Sequence, residues 1–144
     1  IPETHLIPIV LQVASGRRKN VFIFGNDYPT DDGTCVRDYI HVFDLCEAHV
    51  LALNWLTNGG NSKRYNLGNG NGFSVKNVID TVVKVTGRDV LAIEAERWAG
   101  DPEVLIAESL LIQKKLGWAH KYNSLERIIS HAWEWEIKEN RKNQ

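Results

Sequence analysis

The sequence predicts an α/β chain in which helices alternate with a few short strands. Three observations carry this. Apolar residues recur at helical spacing in several segments, most of them opened by a capping residue and closed by glycine. Two short apolar runs, Val21–Phe24 and Val90–Ala95, stand between polar breaks, as strands do. Clusters of Asn, Asp, Gly and Pro separate the periodic segments. Alternation of this kind is the pattern of an α/β or α+β domain.

Taken in order, Thr4 is placed to cap a first helix carrying Leu6, Ile7, Ile9, Val10 and Val13. Pro8 falls in its first turns, where a missing N–H is tolerated, and Gly16 stops it. Arg17, Arg18 and Lys19 then complement the helix dipole. Val21–Phe24 is the first strand. The chain returns as Arg37-Asp-Tyr-Ile-His-Val42 and enters a second helix at Asp44, where Glu47 completes a capping-box pattern. Leu45, Ala48, Ala52, Leu53 and Leu56 form one apolar face of that helix, and Asn58–Asn61 breaks it. Arg64–Leu67 reads as a short strand. After Gly68-Asn-Gly-Asn-Gly72, Ser74 caps a third helix over Val75–Thr86, with Val75, Val78, Ile79, Val82 and Val83 inward and Gly87 as stop. Its β-branched residues weaken the propensity but keep the period. Val90–Ala95 is the next strand, Arg97–Pro102 a polar loop, and Ser109–Leu116 a helix ended by Gly117. Ser124 caps the last helix, whose buried stripe is Leu125, Ile128, Ile129, Ala132 and one of Trp133 or Trp135. The polar tail, Lys138 to Gln144, is expected to fray.

The organising stretch is Val21 to Asp44. A loop rich in Asn, Asp, Pro and Gly, held between two apolar elements, is a poor way to build a core and a reasonable way to hold a charged ligand. Arg37 sits where this loop rejoins structure, and an arginine there can fork onto a phosphate with two parallel hydrogen bonds. The other reading is a structural ion pair of Arg37 with Asp31 or Asp32, which spacing alone favours.

The 144 residues suffice for one domain with a core, and a net charge of −1 gives no basic field for nucleic acid. No apolar run approaches the roughly 20 residues needed to span a bilayer. Two cysteines outside any CxxC pair read as free thiols in a reducing cytoplasm. The histidines share no metal-type spacing, so no metal is expected. The start at Ile1-Pro2-Glu3 reads as the middle of a longer protein.

Gly68, Gly70 and Gly72 before a helix imitate a nucleotide-binding turn, but the spacing is GxGxG and not GxGxxG. The acidic residue that should end a second strand is missing, since Asp80 and Asp89 lie in the third helix and the turn after it. The run therefore reads as a turn that lets the third helix pack close to the sheet. No GxSxG occurs, and none of Tyr28, Tyr39, Tyr65 and Tyr122 has a lysine four residues on to lower its pKa for proton transfer. The chain carries binding features without an evident acid or base.

Several stretches together resemble one family: Pro2-Glu-Thr-His-Leu-Ile-Pro8, then Gly-Arg-Arg, then Ile23 to Val42 (IFGNDYPTDDGTCVRDYIHV), then Tyr65 to Val75 (YNLGNGNGFSV), then Gly100-Asp-Pro102. They are similar to the C-terminal part of the UDP-glucose 4-epimerases, in the extended short-chain dehydrogenase/reductase family. The resemblance covers essentially the whole chain. It implies the C-terminal substrate-binding part of an extended Rossmann fold, a UDP-sugar-binding domain over residues 1–144 without the N-terminal half. The full enzymes interconvert UDP-glucose and UDP-galactose in galactose metabolism. Tightly held NAD takes hydride from C4, the 4-keto sugar rotates, and hydride returns to the other face. The absent half holds NAD and the catalytic Tyr–Lys pair, so this chain alone is expected to be inactive.

By the same resemblance, His5 and Leu6 lie beside the diphosphate and sugar. The backbone of Phe22 to Phe24 faces uracil, Arg37 binds the diphosphate with Tyr39 close by, and Asp101 hydrogen-bonds the ribose. Where the family has Arg-Arg, this chain has Arg97-Trp98. Arg97 is then the candidate for the phosphate role that Trp98 cannot fill. A charge-assisted contact is worth roughly 1.5–3 kcal/mol, so UDP should bind about ten- to a hundredfold more weakly than to a Trp98→Arg variant. Leu105 falls where the family tunes the pocket for the sugar. Alternative readings are another UDP-sugar epimerase, acting on pentose or uronate sugars, or a non-catalytic UDP-sugar-binding or assembly domain. Apolar faces at Ile40–Val42 or Leu51–Leu53 are expected to be uncovered, favouring self-association or the homodimer of the parent enzyme.

Overall fold

The computed structural model describes residues 3–142. Among them the elements run α1 (Leu6–Ala14), β1 (Val21–Phe24), β2 (Val36–Arg37), α2 (Val42–Thr57), β3 (Phe73–Ser74), α3 (Val75–Thr86), β4 (Ala92–Ala95), β5 (Val104–Leu105), α4 (Leu110–Leu116) and α5 (Leu125–Lys142). β1 pairs with β4 in parallel, Val21 opposite Ala92. β2 is the centre of a second sheet, antiparallel to β3 and parallel to β5.

The main core lies where α1, α3 and α5 meet over β1. Val10, Leu11, Val78, Val82 and Ile129 are its buried centre. Each helix supplies the stripe its sequence period requires. α3 has the expected ends: Ser74 and Asn77 form a reciprocal capping box, and Gly87 takes the left-handed conformation that closes the helix. Val83 is exposed, on the edge of the stripe.

At α1 the cap is His5 and not Thr4, and its side chain makes no capping bond. Glu3 instead accepts the N–H groups of His5 and Thr4, each at 2.8 Å. These bonds, with the His5 imidazole, hold the Glu3 carboxyl below its usual range. No basic residue lies in the last turn of α1. Arg17 turns to α5, where its Nε donates to Glu136 at 2.7 Å.

α2 begins earlier than expected. His41 is the cap, its Nδ1 accepting the Phe43 N–H at 3.1 Å. Asp44 is inside the first turn, and Glu47 does not close a box with it. The buried Asp44 carboxylate accepts the N–H groups of Lys121 and Tyr122, each at 3.0 Å, and its carbonyl accepts from Trp118 Nε1 at 2.8 Å. Glu47 pairs with Lys121 Nζ at 2.7 Å. The expected apolar face is only partly covered: Ala48 is buried, while Leu53 and Leu56 are exposed.

Arg64–Leu67 is not a strand, because no strand lies beside it. Tyr65 and Leu67 pack instead on a small second core of Ala48, Ile112 and Trp118. β5 was not anticipated, since two residues are too few to show a period. In α5, Trp133 turns toward the core and Trp135 is exposed. The helix continues through Lys142, past the expected fraying point at Lys138, while Asn143 and Gln144 lie outside the described residues.

Candidate functional site

A cleft of about 320 Å³ opens between α1, β1 and β2. Leu6, Phe22, Phe24, Arg37, Tyr39 and Asp101 all line it, so six of the residues named from the sequence come together. His5, Arg97 and Leu105 lie outside its lining.

The loop before β2 is fastened to the start of α3. Asp32 accepts the Thr34 N–H at 2.9 Å, the Thr34 hydroxyl at 2.7 Å, and the Ser74 hydroxyl. Burial pushes the Asp32 carboxyl up, but the bonds from Ser74 and Thr34 outweigh it and leave the group below its usual range. Lys76 Nζ donates to the Asp32 carbonyl at 2.9 Å. Gly33 is required here: at φ +78° a Cβ would stand 2.3 Å from the Asn26 carbonyl oxygen.

This fixed loop delivers Arg37 to the cleft. Its Nη2 donates to Asp101 Oδ1 at 2.6 Å and its Nη1 to the Val36 carbonyl at 2.8 Å. The expected pairing with Asp31 or Asp32 is therefore replaced by one with Asp101. Asp101 Oδ2 also accepts the Tyr28 hydroxyl at 3.1 Å. Burial and that carboxylate push the Tyr28 phenol up. Burial likewise raises Tyr39 to about 12 and raises the Cys35 thiol on the cleft wall. None of these three groups is tuned toward neutral pH, so none is poised as a general base.

β1 supplies the backbone donors. Val21 N–H bonds to the Leu91 carbonyl and Gly25 N–H to the Ala95 carbonyl. By strand alternation, Phe22 and Phe24 direct their N–H and C=O groups away from β4. The outer rings of Phe22 and Phe24 continue into Trp98, 4.8 Å from Phe24 by ring centroids.

The remaining sequence-named residues have other settings. The Arg97 guanidinium carbon lies over the Tyr28 ring, 3.9 Å from its centroid. His5 is exposed beside Glu3. Leu105 is exposed and opens onto a neighbouring groove with Arg37 and Asp38. Sequence reasoning gave Tyr28, Cys35 and Arg18 no part in the site, yet they support or line the cleft. A tyrosine inside an otherwise polar loop was the available signal for Tyr28.

The glycine turn does not suit a cofactor pyrophosphate. The Asp38 carboxylate accepts the N–H of Asn69 at 2.7 Å and of Gly70 at 3.4 Å, so an acid occupies the place an anion would take. A Cβ on Gly68 would stand 2.1 Å from that carboxylate. The glycine there serves close approach, but to Asp38 and Ala107 and not of the third helix to the sheet.

Residues 2–68 match the NAD dependent epimerase/dehydratase family. A UDP-glucose 4-epimerase of Halalkalibacterium halodurans is 58% identical over 134 residues, covering 93% of this chain and 40% of that protein. The chain thus spans about two-fifths of the length of the curated relatives it matches, in their C-terminal part. Among solved structures, a crystal structure of UDP-glucose 4-epimerase is 56% identical with a TM-score of 0.93, over 96% of this chain and 42% of the other. The UDP-glucose-4-epimerase of Stenotrophomonas maltophila, with bound NAD and formylated UDP-arabinopyranose, is 39% identical with a TM-score of 0.91, over 99% of this chain and 43% of the other. No helix among the described residues is long and apolar enough to cross a membrane. In sequence and in fold, the chain is similar to the C-terminal portion of UDP-glucose 4-epimerases, and its first half matches the NAD dependent epimerase/dehydratase family.

Proposed function

We propose that this chain is the UDP-sugar-binding domain of a UDP-glucose 4-epimerase, and that it grips UDP-glucose or UDP-galactose without turning them over alone. The observation that carries the reading is the Arg37–Asp101 pair on a cleft that Phe22 and Phe24 of β1 also line. A diphosphate competes with Asp101 for the Arg37 guanidinium, and the released carboxylate accepts from ribose hydroxyls. Uracil meets the backbone groups of β1. The complex of a UDP-arabinopyranose derivative with a relative supports the ligand class.

NAD belongs, in this reading, to the part of the relatives that this chain does not cover, because the glycine turn here is closed by Asp38. That cofactor supplies the redox chemistry of epimerisation, and this chain's residues bind and orient the nucleotide. A reducing cytoplasm suits the exposed Cys46 thiol.

The test is calorimetric titration with UDP. Arg37→Ala removes a charge-assisted contact worth roughly 1.5–3 kcal/mol, so UDP should bind about ten- to a hundredfold more weakly. An unchanged Kd would remove Arg37 from the site and the proposal with it.

A further inference from the structure

Trp98 is the most exposed aromatic ring on the cleft wall, at 63%, against 46% for Phe22 and 40% for Phe24. Nothing in the packing of the chain accounts for a ring of that size held in water. It is nonetheless ordered by its surroundings. Its centroid is 4.8 Å from that of Phe24, with the planes 42° apart, and Phe24 is 6.2 Å from Phe22. The turn that carries it is closed by the Asp101 N–H bonding to the Trp98 carbonyl at 3.2 Å, with Gly100 at φ +83°. One turn therefore presents both the indole and the Asp101 carboxylate, and that carboxylate touches Arg37 at 2.6 Å. Along the wall the order is π-face, carboxylate, guanidinium. A nucleoside diphosphate offers the complementary order: planar base, ribose hydroxyls, phosphates.

We propose that Trp98 stacks on the pyrimidine ring of the nucleoside diphosphate in this cleft, with Phe24 as its neighbour. The inference rests on the UDP reading above. Stacking on an aromatic side chain suits any base π-face, and its contribution survives without a second phosphate-binding arginine at this position. Binding then depends less on charge and more on the base.

The experiment follows UDP by nuclear magnetic resonance as the 144-residue chain is added. With the unaltered chain, the two uracil ring protons should shift upfield under the indole ring current, and the phosphorus signals should shift as well. Trp98→Ala should remove most of the uracil shift and weaken UDP roughly tenfold while the phosphorus signals still respond. Trp98→Phe should retain most of both effects. Trp98 is exposed, so neither variant disturbs the core. A uracil shift indifferent to Trp98→Ala, or Phe no better than Ala, overturns the stacking role alone, provided the phosphorus signals respond and Arg37→Ala silences them. If UDP moves neither set of signals with the unaltered chain, the stacking role and the UDP reading fall together.

Discussion

Arg37 illustrates what a sequence says about one side chain. Its position after a polar loop made it a candidate anion ligand, but its partner stayed open, with Asp31 and Asp32 as the near choices. The partner is Asp101, 64 residues away, brought there because β2 pairs with β5 beside the Arg97–Pro102 loop. Pairing of two-residue strands leaves no periodic trace, so nothing local foretold it. Trp98 stands in the reverse relation. Its identity was legible as a missing guanidinium, whereas its neighbour Phe24 was not. The charge argument makes Trp98→Arg a gain of about ten- to a hundredfold in UDP affinity. With stacking present, the same substitution also removes the indole, and Arg97, engaged by Tyr28, does not compete for the place. The expected net gain is therefore below tenfold. Titration of the Trp98→Arg chain with UDP checks this, and a full hundredfold gain would show that the indole contributes nothing.

Among the elements, the ends of α3 match the sequence reading because Ser74 and Gly87 act locally, while Val83, expected inward, is exposed. The start of α2 was misread because Asp44 and Glu47 imitate a capping box. The true cap, His41, is uncommon, and it works because burial keeps it neutral. Its Nδ1 accepts the Phe43 N–H, which an imidazolium cannot do. Its Nε2 lies 3.0 Å from His131 Nδ1, and its ring stacks on Tyr122. Burial first, then His131 of α5, push the His41 pKa down; Asp44 pulls it up by less, and Arg127 adds a still smaller push down. The unfolded chain takes up this proton near the ordinary value of about 6.5, above the folded value. Between the two values the unfolded state binds more protons, so stability is fully present above about 6.5 and falls as pH drops through that window. Urea midpoints measured from about pH 7.5 down to about pH 5.5 should decline. His41→Asn, which can still cap, should flatten the slope. An identical slope in that variant would assign the acid sensitivity elsewhere.

At the scale of the whole molecule, the unmatched features collect on one helix and its exit. α2 leaves Val42, Phe43, Val50, Leu53, Trp55 and Leu56 exposed, more apolar surface than a lone surface helix needs. An apolar groove of about 610 Å³ lies beside its first turn, between α1 and α5. The segment after it, Arg64–Leu67, has strand character in its sequence and no strand to pair with. A helix with a bare face followed by an unpaired segment of strand-like sequence is half of a helix-on-sheet layer. The relatives have more than twice this chain's length, so the sheet is expected from the part they do not share with it. Without it, the chain should self-associate through α2. Light scattering should give a mass that rises with concentration and holds at high salt, and Leu53→Asp should lower it. Adding the N-terminal portion of a close relative should do three things at once: reduce the mass of the aggregate to a defined complex, slow hydrogen exchange at Arg64–Leu67, and restore conversion of UDP-galactose. A concentration-independent monomer, or exchange at Arg64–Leu67 that stays fast in an active complex, would mean that this face of α2 and this segment have no sheet to meet.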